Sequence, residues 1–304
     1  MPTEQMTSAN KPLSAEGRTY HVETRWGEVS NRILTVGDPQ RARMMAGFMD
    51  KILFERSSHR GFLTITGIYK GLPISVVAIG MGLSMMDFFV RETRMVVKGP
   101  MSIVRFGSCG SICDASIGDI IVAQRAFGIG RNFDYFSDLD KQNKEPYVFW
   151  KPVEADKQLT KAVEDNLKKA VGDQHVFEGS VGNADSFYGS QGRLGDDFYD
   201  ANDGLIDRVH EKYSDAAALE MESHMLFHLA SVSSGKYGQD PRSVKAACAL
   251  VVFADRAGNQ FIDPDMSKRM IEVAARAVLD ALVQDMPSQD GLHPAAGSVW
   301  ESEI

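Results

Sequence analysis

The order of elements in this chain predicts an α/β protein, a three-layer α/β/α sandwich around a mixed, mostly parallel sheet. Three observations carry that reading. Short apolar runs alternate with amphipathic stretches. Residues 244–253 are β-rich and almost wholly apolar, as a central strand covered on both faces should be. Several runs also stop at glycine beside arginine or a hydroxyl, and strand ends are where open α/β sheets gather ligands.

Taken in order, residues 32–36 read as a buried strand that stops at Gly37-Asp38-Pro39, with a helix over 41–49. Residues 63–69 and 73–79 are β-rich and separated by Lys70-Gly71, which predicts a hairpin. A helix follows, its apolar face drawn by Met85, Phe88, Phe89, Met95 and Val96, with Glu92 the polar exception near one edge. Residues 102–106 form a strand ending in Gly107-Ser108-Cys109-Gly110, and 119–123 another. Residues 136–151 are charged and lack periodicity, as an inserted surface loop would. The segment 157–171 is an amphipathic helix, 176–181 and 217–221 are strands, and 223–230 begins a helix. Asp263-Pro264 caps and opens a last helix to about residue 284.

With 304 residues and 43% apolar content the chain can bury one full core, so a single domain over 18–286 is expected. Residues 1–17 are polar with no apolar signal core, and 287–304 carry Pro, Gly, Ser and scattered acids. Both ends are expected to be disordered. No apolar run is long enough to span a membrane. A net charge of −8 argues against a nucleic-acid polymer as partner, while leaving a small anion open. The three cysteines, Cys109, Cys113 and Cys248, suit a reducing compartment, and cytoplasm is the expectation. No metal site is expected: Cys109 and Cys113 lack a second pair, and Met225 follows His224 where a zinc helix with His228 would need Glu.

Five clusters carry chemistry. Phe187, Gln191 and Arg193 lie on one glycine-rich segment and offer a ring face, an amide and a fork of donors, a set suited to a flat heterocycle such as uracil. Gly37 with Arg41, at a strand end and helix start, suits an anion, and so does Arg105 with Ser108. Glu220 and Glu222, two residues apart, would share one strand face and could hold a vicinal diol, unless they are a solvated acidic pair. Asp255-Arg256 ends the apolar strand and could contact a leaving base.

Together the segments 37–41, 58–60, 80–82, 105–108, 187–193 and 220–223 resemble, in order, the signature of the nucleoside phosphorylase family, over roughly residues 21–283. Within it, Gln191 and Arg193 after Phe187 resemble the uridine-specific branch. The resemblance implies phosphorolysis of uridine to uracil and ribose 1-phosphate, with inorganic phosphate as co-substrate and no resident cofactor. It implies that Gly37, Arg41, Arg105 and Ser108 hold phosphate, and that Arg60 reaches it from a neighbouring subunit. Met221 and Glu222 would hold ribose, with His21 of the neighbour at the 5′-hydroxyl, and Phe187, Gln191 and Arg193 would hold the base. A homodimer is the favoured assembly, with room for a structural cation at its interface. Ser108 stands where relatives commonly have Thr, which keeps the hydroxyl. Asp255 departs from the uridine-specific Asn and resembles a purine-specific acid. It stays open as a general acid, a partner holding Arg256, or a surface ion pair. A purine phosphorylase, a nucleosidase and a silent nucleoside-binding protein are the rival readings.

Overall fold

The computed structural model describes residues 5–137, 144–233, 244–286 and 288–304. The strands are β1 (Arg32–Val36), β2 (Lys51–Ser57), β3 (Leu63–Tyr69), β4 (Leu72–Ala78), β5 (Met101–Ser111), β6 (Ile120–Arg131), β7 (Tyr147–Glu154), β8 (Val176–Ala184), β9 (Ala216–Glu220), β10 (Val244–Asp255) and β11 (Gln260–Phe261). The helices are α1 (Pro39–Ala46), α2 (Leu83–Val96), α3 (Phe133–Ser137), α4 (Lys157–Val171), α5 (Leu205–Lys212), α6 (Ser223–Val232) and α7 (Pro264–Asp285).

All the strands belong to one eleven-stranded sheet. Parallel ladders build its centre: β1 with β4 and β5, β5 with β10, and β8 with β6 and β9. Antiparallel pairs add the β2–β3–β4 edge, the β6–β7 flank, and two contacts that bend the sheet round, β5–β9 and β6–β10. Strands β5, β10, β6, β8 and β9 thereby pair in a closed ring. Helices cover both faces, as the alternation along each strand requires. Leu34, Val36, Val104 and Ala249 pack with α1, α4 and α7, whereas Ile33, Ile103, Ala246 and Leu250 pack with α2 and α6.

Local chemistry explains the helix starts. Asp38 caps α1 by accepting Arg41 N–H, with Pro39 in the first turn. Asp156 caps α4 and Asp263 caps α7 in the same way. The hairpin forms at Lys70-Gly71, both in left-handed backbone, with φ of 51° and 75°.

Three expectations are corrected. The stretch read as a loop contains α3 and strand β7, with 138–143 outside the described residues. Its pairing depends on distant glycines: a Cβ at Gly128 would lie 1.8 Å from Trp150 Cε3, so β6 is bare where the indole lies against it. The tail is not disordered over 288–304. Arg32, fully buried at the start of β1, donates to the carbonyls of Met286 and Ser288 and to Gln289 Oε1, and Trp300 is 0% exposed. The described part of the amino-terminal arm is also tied down, with bridges Met6–Ser14 and Leu13–Thr19.

Candidate active site

The carboxyl ends of β1, β5, β8, β9 and β10 open onto one cavity of about 320 Å³. Its walls include Gly37, Arg41, Arg105, Ser108, Phe187, Gln191, Arg193, Met221 and Glu222. Nine residues singled out in the sequence therefore meet in one place.

At one end lies a cationic pair. Arg105 projects from β5 and is 4% exposed, and its Nη2 donates to Glu222 Oε2 at 2.7 Å. Its Nε and Nη1 are buried without a partner. Unsatisfied buried donors on a guanidinium are costly, so this end is built to receive an acceptor. Arg41 lies at the same end, 5.5 Å over the ring of Phe253. Burial, and then the charge of Arg105, push its guanidinium down to about 10, so it stays cationic at neutral pH. Gly37 leaves the approach open: a Cβ there would stand 3.6 Å from Arg105 Nη2.

The middle is acidic. Glu222 follows β9 at the position before α6, where its side chain makes no capping bond, and its Oε1 accepts the Gly82 N–H at 2.5 Å. Glu220 accepts the N–H groups of Glu222 and Ser223 and the Ser223 hydroxyl. Burial, and then the charge of Glu222, raise the Glu220 carboxyl above its ordinary range. Both carboxylates line the cavity, but not by strand alternation, because β9 ends at Glu220. Both are buried, so this is no solvated acidic pair.

The other end is the loop after β8. Its tight turn needs Gly189, where a Cβ would meet Arg131 Nη2 at 2.1 Å, and Gly192, which has φ of 65°. Gln191 is 2% exposed, while Phe187 is 42% exposed. The Arg193 guanidinium lies 3.6 Å over the Phe187 ring and donates to Phe187 O and Gln191 Oε1, each at 2.6 Å. Burial, and then Arg256, push it down to about 10.

Four predicted residues lie elsewhere. Arg256 donates to the carbonyls of Gln191 and Gly192, so it braces the loop from outside the cavity. Asp255 forms no ion pair with Arg256 among the described residues, which corrects the reading of it as that residue's holder. Its Oδ1 accepts Ala257 N–H, and it faces an adjoining cavity of about 740 Å³. Arg60 is exposed in the turn between β2 and β3. His21 bonds Glu92 and stacks on Phe88, away from this cavity.

Sequence reasoning assigned no role to Met81, Phe253 and Phe261, which complete the wall. Gly80-Met81-Gly82 was already visible as a motif. Phe253 ends the apolar run, whereas Phe261 arrives only through the β10–β11 pairing and has no local signal. Two familiar decoys resolve as structure: His224 bonds the carbonyl of Lys151, and Cys109 is a buried free thiol.

Comparison with known proteins agrees with this geometry. Residues 31–281 match the family described as the phosphorylase superfamily. A uridine phosphorylase of Thermococcus kodakarensis is 31% identical over 261 residues, 85% of each chain. A DeoD-type purine nucleoside phosphorylase of Bacillus cereus is 29% identical over 88% of this chain and 99% of its own. A structure from a study of two uridine phosphorylases of the oomycete Phytophthora capsici superposes with a TM-score of 0.84 at 33% identity, covering 92% of this chain and 99% of that one. A Trypanosoma brucei nucleoside phosphorylase shares the fold at a TM-score of 0.76 and 21% identity. By sequence along most of its length and by the shape of its sheet, this chain belongs to the phosphorylase superfamily.

Proposed function

We propose that the protein catalyses the phosphorolysis of uridine to uracil and ribose 1-phosphate, as a pentosyltransferase of pyrimidine salvage. The observation that carries the reading is the pair of buried, unpartnered donors of Arg105 at one end of a cavity whose other end is Phe187, Gln191 and Arg193. Water needs no such donors, so the arrangement favours phosphorolysis over hydrolysis.

In this reading Arg41, Arg105, Ser108 and the open backbone at Gly37 hold phosphate below the sugar. Glu222 and Met221 hold the ribose. A phosphate oxygen forms a bond to C1′ as the bond from C1′ to N1 breaks, and the bonding pair leaves with the base. Positive charge grows on the ribosyl ring beside the bound anion, and negative charge grows on the uracil oxygens beside Gln191 and Arg193. Arg193 serves by donating hydrogen bonds, and no proton need leave it. Phosphate is a co-substrate, and the reading requires no resident cofactor.

The assembly in this reading is a homodimer in which Arg60 and His21 complete the neighbour's site, with room for a structural cation between subunits. Arg60 is exposed outside its own cavity and the partly exposed His21 also lies away from it, which supports that arrangement. Among the described residues no helix is long and apolar enough to cross a membrane. The three free cysteines fit a cytoplasmic location.

The test is product formation from uridine, thymidine and inosine, with and without phosphate. Uridine cleavage that requires phosphate is the expected result. Equal turnover without phosphate would replace the proposal with a nucleosidase. Preference for inosine, lost in Asp255→Asn, would replace it with a purine phosphorylase that uses Asp255 as acid.

A further inference from the structure

The two residues assigned to the neighbour's site, His21 and Arg60, are mounted on one small strap. Glu92 projects from α2 with its side chain 4% exposed. Its carboxylate accepts the N–H of His21 at 2.9 Å and the N–H of Val22 at 2.8 Å, and lies 2.6 Å from His21 Nδ1. The imidazole stacks on Phe88, with centroids 4.0 Å apart, and meets the edge of Tyr20 at 4.8 Å. Two residues further on, Glu23 adopts a left-handed φ of 58°, an unfavourable conformation for a residue with a side chain. Its carboxylate accepts Arg56 Nη2 at 2.8 Å and the N–H of His59 at 3.3 Å, and bonds His59 Nδ1. Tyr20 also meets the ring of His59, edge-on at 6.0 Å. Residues 20–23 therefore join the imidazole of His21 to the turn that carries Arg60.

Two backbone donors would be enough to hold the chain against Glu92. The ring contact does something else: it occupies Nδ1 and leaves Nε2 without a partner among the described residues. A neutral imidazole that donates from Nδ1 presents Nε2 as an acceptor, which suits a hydroxyl group.

We propose that Glu92 and Glu23 are positioning residues for the neighbouring subunit's site. Glu92 fixes the tautomer and aim of His21 toward the 5′-hydroxyl of the bound nucleoside, and Glu23 fixes the turn that brings Arg60 to the phosphate. This rests on the cross-subunit reading of His21 and Arg60 given above.

Kinetics with uridine and 5′-deoxyuridine separate the two levels. His21→Ala should cut the preference for uridine by about tenfold, the scale of one lost hydrogen bond to substrate. Glu92→Gln should cut it by a similar factor, with the double variant no worse than either single one. Glu23→Gln should raise the KM for phosphate severalfold and leave the 5′-hydroxyl preference intact, a split that general destabilisation would not produce. If His21→Ala leaves the preference unchanged, the cross-subunit reading itself is wrong. If His21→Ala abolishes the preference while Glu92→Gln retains it, only the positioning role falls. The ¹⁵N shifts of the His21 ring in the unmodified protein provide a check that needs no variant: the proton should sit on Nδ1, and a neutral ring protonated at Nε2 overturns the assignment.

Discussion

The two ends of the cavity are built on different principles. At the anion end Arg105 and Glu222 are buried against a sheet, and two donors of Arg105 are left waiting. At the base end Arg193 has already satisfied itself on Phe187 and Gln191, and Phe187 faces solvent. The first end leaves buried donors unmatched, whereas the second is already matched and, in the proposed reading, would exchange contacts when a base arrives. Affinity for phosphate should therefore depend on preorganisation, and selection of the base on a loop that rearranges.

That contrast can be broken most forcefully at Arg105. Arg105→Ala removes the waiting donors and strips Glu222 of its cation, so kcat/KM for uridine should fall by about 10³-fold or more in steady-state assays. A loss below tenfold would mean that the anion end is not where phosphate sits. Arg193→Ala should lower uridine turnover by about 10²-fold while shifting the melting temperature little, since the guanidinium bonds only its own loop. Equal losses of activity and stability would erase the distinction between the ends. Gly37→Ala sharpens the comparison: backbone φ there is not left-handed and the added methyl would make only ordinary contacts with Gly80 O and Arg105 Nη2, so folding should be preserved while the methyl takes up space on the cavity wall beside the guanidinium. The KM for phosphate should rise by about tenfold with uridine KM little changed.

The smallest effect lies outside both ends and supplies a baseline. Burial, then the charges of Arg94 and Lys98, push His293 down to about 4 from an ordinary 6.5. A depressed folded-state value means that its contribution is present in full above pH 6.5 and is lost as pH falls toward 4. The melting temperature should drop by several degrees across that window, and His293→Asn, which keeps an acceptor for the Lys98 amide, should flatten the fall.

What could be read from the chain follows from the range of the interactions. Helix caps such as Asp38 and the hairpin at Lys70-Gly71 are written within a few residues, and both were legible. The clusters at Gly37, Phe187 and Glu222 were legible because each follows a strand, and Arg105 with Ser108 because β5 carries them toward the same converging ends, although β5 runs on to Ser111 rather than stopping at residue 106. Strand β7 was hidden because its signal lies partly in Gly128 and Gly130 of β6, where the Trp150 indole packs. The packed tail was hidden because its anchor is Arg32, some 250 residues away along the chain, at the head of an otherwise apolar strand. Asp255 misled through its neighbour: adjacency to Arg256 implied a pair, yet the two side chains turn to different partners.

The closed circuit of β5, β10, β6, β8 and β9 has one more consequence. A strand with partners on both sides has no free edge from which to peel, so amide protons along β5 and β10 should wait for the whole barrel to come apart before exchanging with deuterium. The loop after β8 hangs from that barrel without being part of it. If the loop holds the nucleobase, as proposed, natural variation there would retune which base is accepted while the barrel-borne arginine stays in place.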